Sequence, residues 1–308
     1  MKWFTGMGAQ IKMVSVARPR FGFHHVNSIR LSARAASQCL DDARIDPCDI
    51  GLLVNTGIYR YKNTGEPAIA ALIQETIGAN RTIAKDNDNH KSTFSFDLSN
   101  GGCGLLTAIE IVQGSISSGE ITYGMVVTGD SEPFYRLSKE FTFISAAAAI
   151  ILAGSKNSNG FSMFRTYTYP EYSEEFVSST FYSSEGGHGK GRNILNVMQK
   201  ESYPDVCVDC ALKSLFSFLD ESGRTLDDID LIIPSQSPLG FTDKLKKRVG
   251  MNGNFIEIKK TGNMVFHTAG PAFALKKVWD DNRFGSSKNI IFLTIGSGIN
   301  VSIALYQN

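Results

Sequence analysis

At 308 residues with 42% hydrophobic side chains, the chain can bury one large core or two coupled ones, which excludes a disordered or fibrous protein. Its 31 Lys and Arg nearly balance 30 Asp and Glu, so no overall field draws it to nucleic acid or an anionic membrane, and neither is expected as a partner. No run nears the roughly 20 apolar residues that cross a bilayer, the opening residues lack an apolar leader core, and the odd set of five cysteines reads as free thiols, so a cytoplasmic protein is expected.

The chain opens on an apolar strand around Met13 to Val16, followed by a basic and aromatic stretch from Arg20 to His25. A helix over Leu31 to Arg44 closes on D46-P-C-D49 and leads to a strand from Ile50 to Val54, then to a second helix over about Glu66 to Ile77. The next stretch joins a strand to a helix. Phe94, Phe96 and Leu98 alternate with smaller or polar residues, whereas Leu105, Ile109, Val112 and Ile116 recur at helical spacing, and the period changes at Cys103. Gly101, Gly102 and Gly104 allow a sharp turn there and a close approach to the thiol. Unpaired N–H groups and the positive end of the helix dipole favour thiolate, so Cys103 is the candidate nucleophile. The plainer reading is a small buried cysteine packing a strand–helix corner. Strands over Ile121 to Thr128 and Ala146 to Leu152 complete this half.

Lys156 to Lys200, rich in Gly, Ser and charge, reads as a surface excursion and candidate lid. Cys207 and Cys210 form one C-x-x-C within a helical pattern, with no second pair for zinc; core packing explains them, and neither metal nor cofactor is expected. The segment C39-L-D-D-A-R-I-D-P-C-D-I-G-L-L-V54 then lies without a gap over F218-L-D-E-S-G-R-T-L-D-D-I-D-L-I-I233, matching Leu40 with Leu219, Asp41 with Asp220 and Leu52 with Leu231. Both copies read helix, turn, strand, as repeated α/β units do. The second copy continues with a helix over Leu239 to Val249, a strand over Phe255 to Ile258, a turn with Asn263 and His267, a helix to Trp279, and strands over Ile290 to Ile295 and Asn300 to Leu305. The division is therefore 1–154 and 155–308. Two such halves facing each other about a pseudo-twofold axis bring Cys103, Asn263 and His267 to one cavity. His24, His25, His90 and His188 have no partners at metal-ligand spacing.

Four segments carry a resemblance that covers nearly all of the chain from Leu31 onward. D97-L-S-N-G-G-C-G104 resembles the nucleophile turn of the thiolase superfamily, most closely its beta-ketoacyl-acyl-carrier-protein synthase III branch, which includes plant-type polyketide synthases. D228-I-D-L-I-I-P-S-Q-S-P-L239 resembles that branch's D-W-x-x-P-H-Q-A-N segment. T261-G-N-M-V-F-H-T-A-G-P-A-F-A-L275 resembles G-N-T-S-A-A-S followed by an apolar helix, and I295-G-S-G-I-N300 resembles the closing glycine loop. The resemblance implies an α/β fold, a thiolase-like five-layered α-β-α-β-α arrangement of two duplicated halves. It also implies a dimer and an acyltransferase of fatty-acid-related or polyketide-like biosynthesis. Such an enzyme takes an acyl group from a carrier-protein or coenzyme A thioester onto Cys103, then condenses it with loss of carbon dioxide or passes it to an oxygen or nitrogen acceptor.

The chain departs from the family in several places. The family's histidine falls on Ser235, and its asparagine falls on either Asn263 or His267; both frames stay open. His267 is the candidate base, and the backbone N–H groups of Cys103 and of Gly296, Ser297 and Gly298 are candidate oxyanion donors. The run from Phe143 to Ala149 replaces the family's G-D-G-A, which implies repacking beside the site. No counterpart of the coenzyme A-binding W-I-x-x-R-T-G-I arm precedes the first long helix, so a carrier protein ranks with coenzyme A as donor. Lys244, Lys246, Lys247 and Arg248 would suit an acidic carrier, or form a solvated helix face. Ser235 also fits a second reading, a non-catalytic or scaffolding subunit paired with an active homologue.

Overall fold

Apolar residues at two periods, alternate in strands and every three or four in helices, build two sheets with helices between and outside them. A computed structural model of the chain describes residues 8–19, 26–63, 65–79, 92–132, 136–138, 141–155, 157, 159–184, 191–250, 254–258 and 264–308. The first half contains β1 (Ala9–Ala17), α1 (Ser28–Ala43), β2 (Ile50–Asn55), α2 (Ile69–Ile77), β3 (Phe94–Asp97), α3 (Gly104–Ser117), β4 (Tyr123–Asp130) and β5 (Ala146–Gly154). The second contains β6 (Gly160–Thr168), β7 (Phe176–Ser183), β8 (Arg192–Gln199), α4 (Tyr203–Glu221), β9 (Leu231–Pro234), α5 (Phe241–Val249), α6 (Gly270–Asp280), α7 (Arg283–Ser286), β10 (Asn289–Gly296) and β11 (Asn300–Gln307).

One sheet has the order β1-β5-β4-β2-β3 and the other β6-β11-β10-β9. Strand directions correspond: β1 and β4 flank β5 antiparallel as β6 and β10 flank β11, while β2 runs parallel to β4 as β9 does to β10. The fifth place of the second sheet is held by one parallel bridge between Ile232 and Phe255, where a strand over Phe255 to Ile258 is expected. The short single-turn helices before β2 and β9, Pro47–Asp49 and Leu226–Asp228, lie at matched positions of the two copies.

Each strand divides its side chains between two layers. Along β10, Ile290 and Phe292 face the centre, and Ile291, Leu293 and Ile295 face outward. The central layer is α3 and α6, whose Leu105, Leu106, Ile109 and Leu275 meet Val126 and Ile150 of one sheet and Leu231 and Phe292 of the other. α1 and α2 cover the first sheet's outer face through Leu31, Cys39 and Ile73, and α4 and α5 cover the second's through Leu215, Phe218 and Leu245. The result is five layers, α-β-α-β-α. Cys207 and Cys210 pack in that outer core, and no group of three His, Cys, Asp or Glu among the described residues is placed to hold a metal ion. No described helix is long and apolar enough to cross a membrane.

Residues 159–184 and 191–200, within the expected surface excursion, are largely strand. β6 is a sheet strand that buries Phe161, and β7 with β8 forms an antiparallel ribbon packed through Leu195 and Val197 on Tyr59 and Phe143. The Gly and Ser of this stretch obscured the one buried face of the ribbon.

Leu106 lies in the central layer between both sheets, 1% exposed. Leu106→Ala is expected to lower stability by about 2–5 kcal/mol, read from the midpoint of urea unfolding. A loss under about 1 kcal/mol would contradict this packing.

Candidate active site

The halves enclose a cavity of about 1080 Å³, whose wall includes Tyr59, Gly101, Gly102, Ser235, His267 and Ser297. His267 follows a bridge that pairs Phe266 with Ile144, so backbone pairing between the halves sets the position of its ring. Its Nδ1 lies 3.4 Å from Asp130 Oδ2, within ion-pair reach, and makes no hydrogen bond. The ring is only 16% exposed and stands edge-on to Tyr59, 4.8 Å between centroids.

Asp130 ends β4 and is buried, yet both of its carboxylate oxygens accept hydrogen bonds. Oδ1 accepts from the amides of Ile58 (2.9 Å) and Tyr59 (2.8 Å), and Oδ2 accepts from the Thr268 amide (3.0 Å) and hydroxyl (2.5 Å). Burial alone would push its carboxyl up; the imidazole beside it, the Thr268 hydroxyl and the Tyr59 amide outweigh that and hold it below the usual aspartate range. The carboxylate therefore stays ionised behind the imidazole. Sequence reasoning missed Asp130, although a charged residue closing the apolar run Y123-G-M-V-V-T-G-D130 is a signal in itself.

Cys103 is not on the cavity wall. Its side chain is fully buried, with Sγ 3.3 Å from the Asn300 carbonyl oxygen and 3.6 Å from that of Thr294, at the junction of β10 and β11. Burial pushes the thiol above the ordinary cysteine range, and contacts with Ser302 and Thr294 only partly offset this. The expectation of an exposed thiolate is corrected here for two reasons. The Cys103 amide already donates to the Asn100 carbonyl at 2.9 Å, within a single turn (Gly101–Cys103) that precedes α3. The sulfur's nearest partners are carbonyl oxygens, which accept a proton and so favour S–H over S⁻. The plainer reading, a cysteine packing a corner, describes this geometry.

The glycines of the turn serve the same packing. A Cβ on Gly102 would sit 2.0 Å from the Ile295 carbonyl oxygen, so the end of β10 can approach this turn only where residue 102 lacks a side chain. Gly296 and Ser297 line the cavity beside it; Gly298, at φ +126, shapes the following turn and is not on the wall. Of the four candidate donors, Gly296 and Ser297 are on the wall, while Gly298 and Cys103, whose amide already donates to Asn100, are not.

Ser235 is on the wall, 4% exposed, and its Oγ accepts from the Ile295 amide at 3.1 Å. Its own proton has no acceptor among the described residues. Asn263 lies outside the described residues, as do His24, His25, His90 and His188. On α5, Lys244 pairs with Asp205 at 2.6 Å and Arg248 pairs with Asp209, both acids being on α4. Lys246 and Lys247 make no ion pair among the described residues. The basic face is thus half neutralised from within, which weakens it as a carrier-docking patch.

The family model for the C-terminal part of 3-oxoacyl-[acyl-carrier-protein] synthase III matches residues 219–307. The beta-ketoacyl-[acyl-carrier-protein] synthase III of Clostridium perfringens is 22% identical over 300 residues, 91% of this chain and 85% of the relative. In sequence the chain is similar to the ketosynthase III branch of the thiolase superfamily. The corresponding synthase of Acholeplasma laidlawii is 26% identical over 217 residues, 68% of this chain, and the match spans only 61% of the relative's length. In fold, the ketosynthase III-like chain matches the 3-oxoacyl-[acyl-carrier-protein] synthase III of Aquifex aeolicus (TM-score 0.79, 16% identity, 98% of this chain and 100% of the other). It likewise matches OleA of Xanthomonas campestris, solved with lauric acid and lauroyl-CoA (TM-score 0.77, 20% identity, 99% and 100%).

Two outcomes test the geometry of this ketosynthase III-like site. Asp130 has a lowered folded-state pKa, so its contribution to stability is complete above about pH 4 and is lost as the pH falls through that lower value. Asp130→Asn should cost about 2–5 kcal/mol at pH 7 and flatten the acid limb of the stability profile. An unchanged acid limb would show the carboxylate to be unimportant. In native alkylation mapped by mass, half-buried Cys48 should react, and Cys103 only after unfolding.

Proposed function

We propose that this chain is an acyltransferase of the condensing-enzyme type that binds an acyl thioester, of coenzyme A or of a carrier protein, in the cavity beside His267. It passes the acyl group directly to an oxygen or nitrogen acceptor. The observation that supports this above all is an imidazole on the cavity wall backed by a buried, ionised Asp130, with the thiol turned away from the same cavity. Family members that condense two thioesters first hold one acyl group on cysteine; with Cys103 facing β10 and β11, a direct transfer is the better-supported route.

In that step the acceptor's lone pair attacks the thioester carbonyl carbon while His267 takes the acceptor's proton. The carbonyl π electrons move to oxygen, toward which the free Ser235 hydroxyl proton can donate. Collapse breaks the C–S bond, and the departing thiolate recovers the proton from His267. Asp130 favours the imidazolium formed between these events.

A second reading, a non-catalytic subunit of an active homologue, is favoured by one observation: the sealed thiol coincides with a serine where the family has histidine. A single set of assays separates the readings. With an acyl-coenzyme A or acyl-carrier donor and a hydroxyl or amine acceptor, Cys103→Ala should keep activity within about twofold, whereas His267→Ala should lose about 10²–10⁴-fold. A donor-dependent mass adduct on Cys103 would overturn direct transfer. No turnover by the chain alone, with activity only when a co-purifying synthase is present, would establish the subunit reading instead.

A further inference from the structure

We propose that the acyl group received here is planar, an aryl or conjugated acyl chain, in preference to a flexible saturated one; this rests on the thioester-binding reading above. The cavity wall beside His267 is a strip of rings. Phe141 is its hub, 5.1 Å from Tyr59, 5.7 Å from Phe176 and 6.4 Å from His267 between centroids, and Phe176 continues it to Tyr203 at 5.3 Å. Tyr59, Phe141, Phe176 and Tyr203 all contribute surface to the cavity, so the strip is more than internal packing.

The strip is also held in place. Phe143, 2% exposed, backs it at 4.9 Å from Tyr59 and 5.6 Å from Phe141. The Tyr59 backbone is anchored through its amide to Asp130 and through its carbonyl to the Ser131 amide at 2.9 Å. The tilted and edge-on angles within it, 57° and 61° at Phe141, are of the kind that aromatic pairs favour, as an added ring would. Near the turn the wall is built from small residues, Gly101, Gly102 and Gly296 with Ser99 and Ser297, which offer a surface without large side chains. A flat, stiff acyl group can meet both surfaces with little loss of rotational freedom, whereas a saturated chain must freeze several rotors and gains no ring contact.

The test compares cinnamoyl-coenzyme A with nonanoyl-coenzyme A, matched in carbon number, by calorimetric titration of the full chain without acceptor. Cinnamoyl-coenzyme A is expected to bind about fivefold more tightly. Phe141→Leu, which keeps an apolar side chain but removes the ring, should bring the ratio to about one by weakening cinnamoyl binding more than nonanoyl binding; Phe176→Leu supplies the same comparison if that variant does not fold. Equal or tighter binding of the saturated thioester by the wild type, or an equal loss for both ligands in the variant, overturns the preference alone. Binding of neither by the folded wild type overturns the thioester-binding reading, and the preference falls with it.

Discussion

The contact on which the rest of the site depends is the buried Asp130 carboxylate. It stands at the end of a first-half strand, yet the residues it holds include Thr268 and His267 of the second half. A buried charge is costly unless every lone pair is met. Here four hydrogen bonds and a neighbouring imidazole meet it, so the two halves can close only in the register that brings those donors together. One group therefore fixes the seam between the lobes and leaves the imidazole facing the cavity with an anion at its back.

The turn before α3 shows the opposite economy. Thiolase-type sites place a sulfur at such a turn, but here residue 102 has no side chain and β10 crosses close over it. The thiol one residue later is drawn into the strand junction, where carbonyl oxygens hold it as S–H. A nucleophile needs access and a stabilised anion, and this position provides neither. The His267 imidazole and the Ser235 hydroxyl, by contrast, are on the cavity wall.

Phe176 of β7 and Phe141 of the segment ending at Ile144 join Tyr59 and Tyr203 in the aromatic wall of the cavity. Phe143 begins the run that departs from the family pattern, and its ring now sits behind Tyr59 and near His267. With Phe141 and Tyr59 it fills the space beside that imidazole with rings.

Much of the architecture was legible in the residues themselves. The gapless match of Cys39–Val54 with Phe218–Ile233 implied repeated units, and the change of period at Cys103 located the joint between β3 and α3, because burial on one face forces those spacings. His267 was singled out as a candidate from its local motif, and the fold puts its ring on the cavity wall. Sequence also left two readings of Cys103 side by side, since a cysteine flanked by glycines satisfies both. What only the tertiary structure decided was direction. Whether a thiol at a turn faces a cavity or a strand junction depends on how closely β10 passes residue 102, and whether Asp130 is a surface acid or a buried anchor depends on donors contributed by Thr268, far along the chain. Neighbouring residues encode period and turn; the orientation of a side chain among partners distant in sequence arises only once the halves have packed.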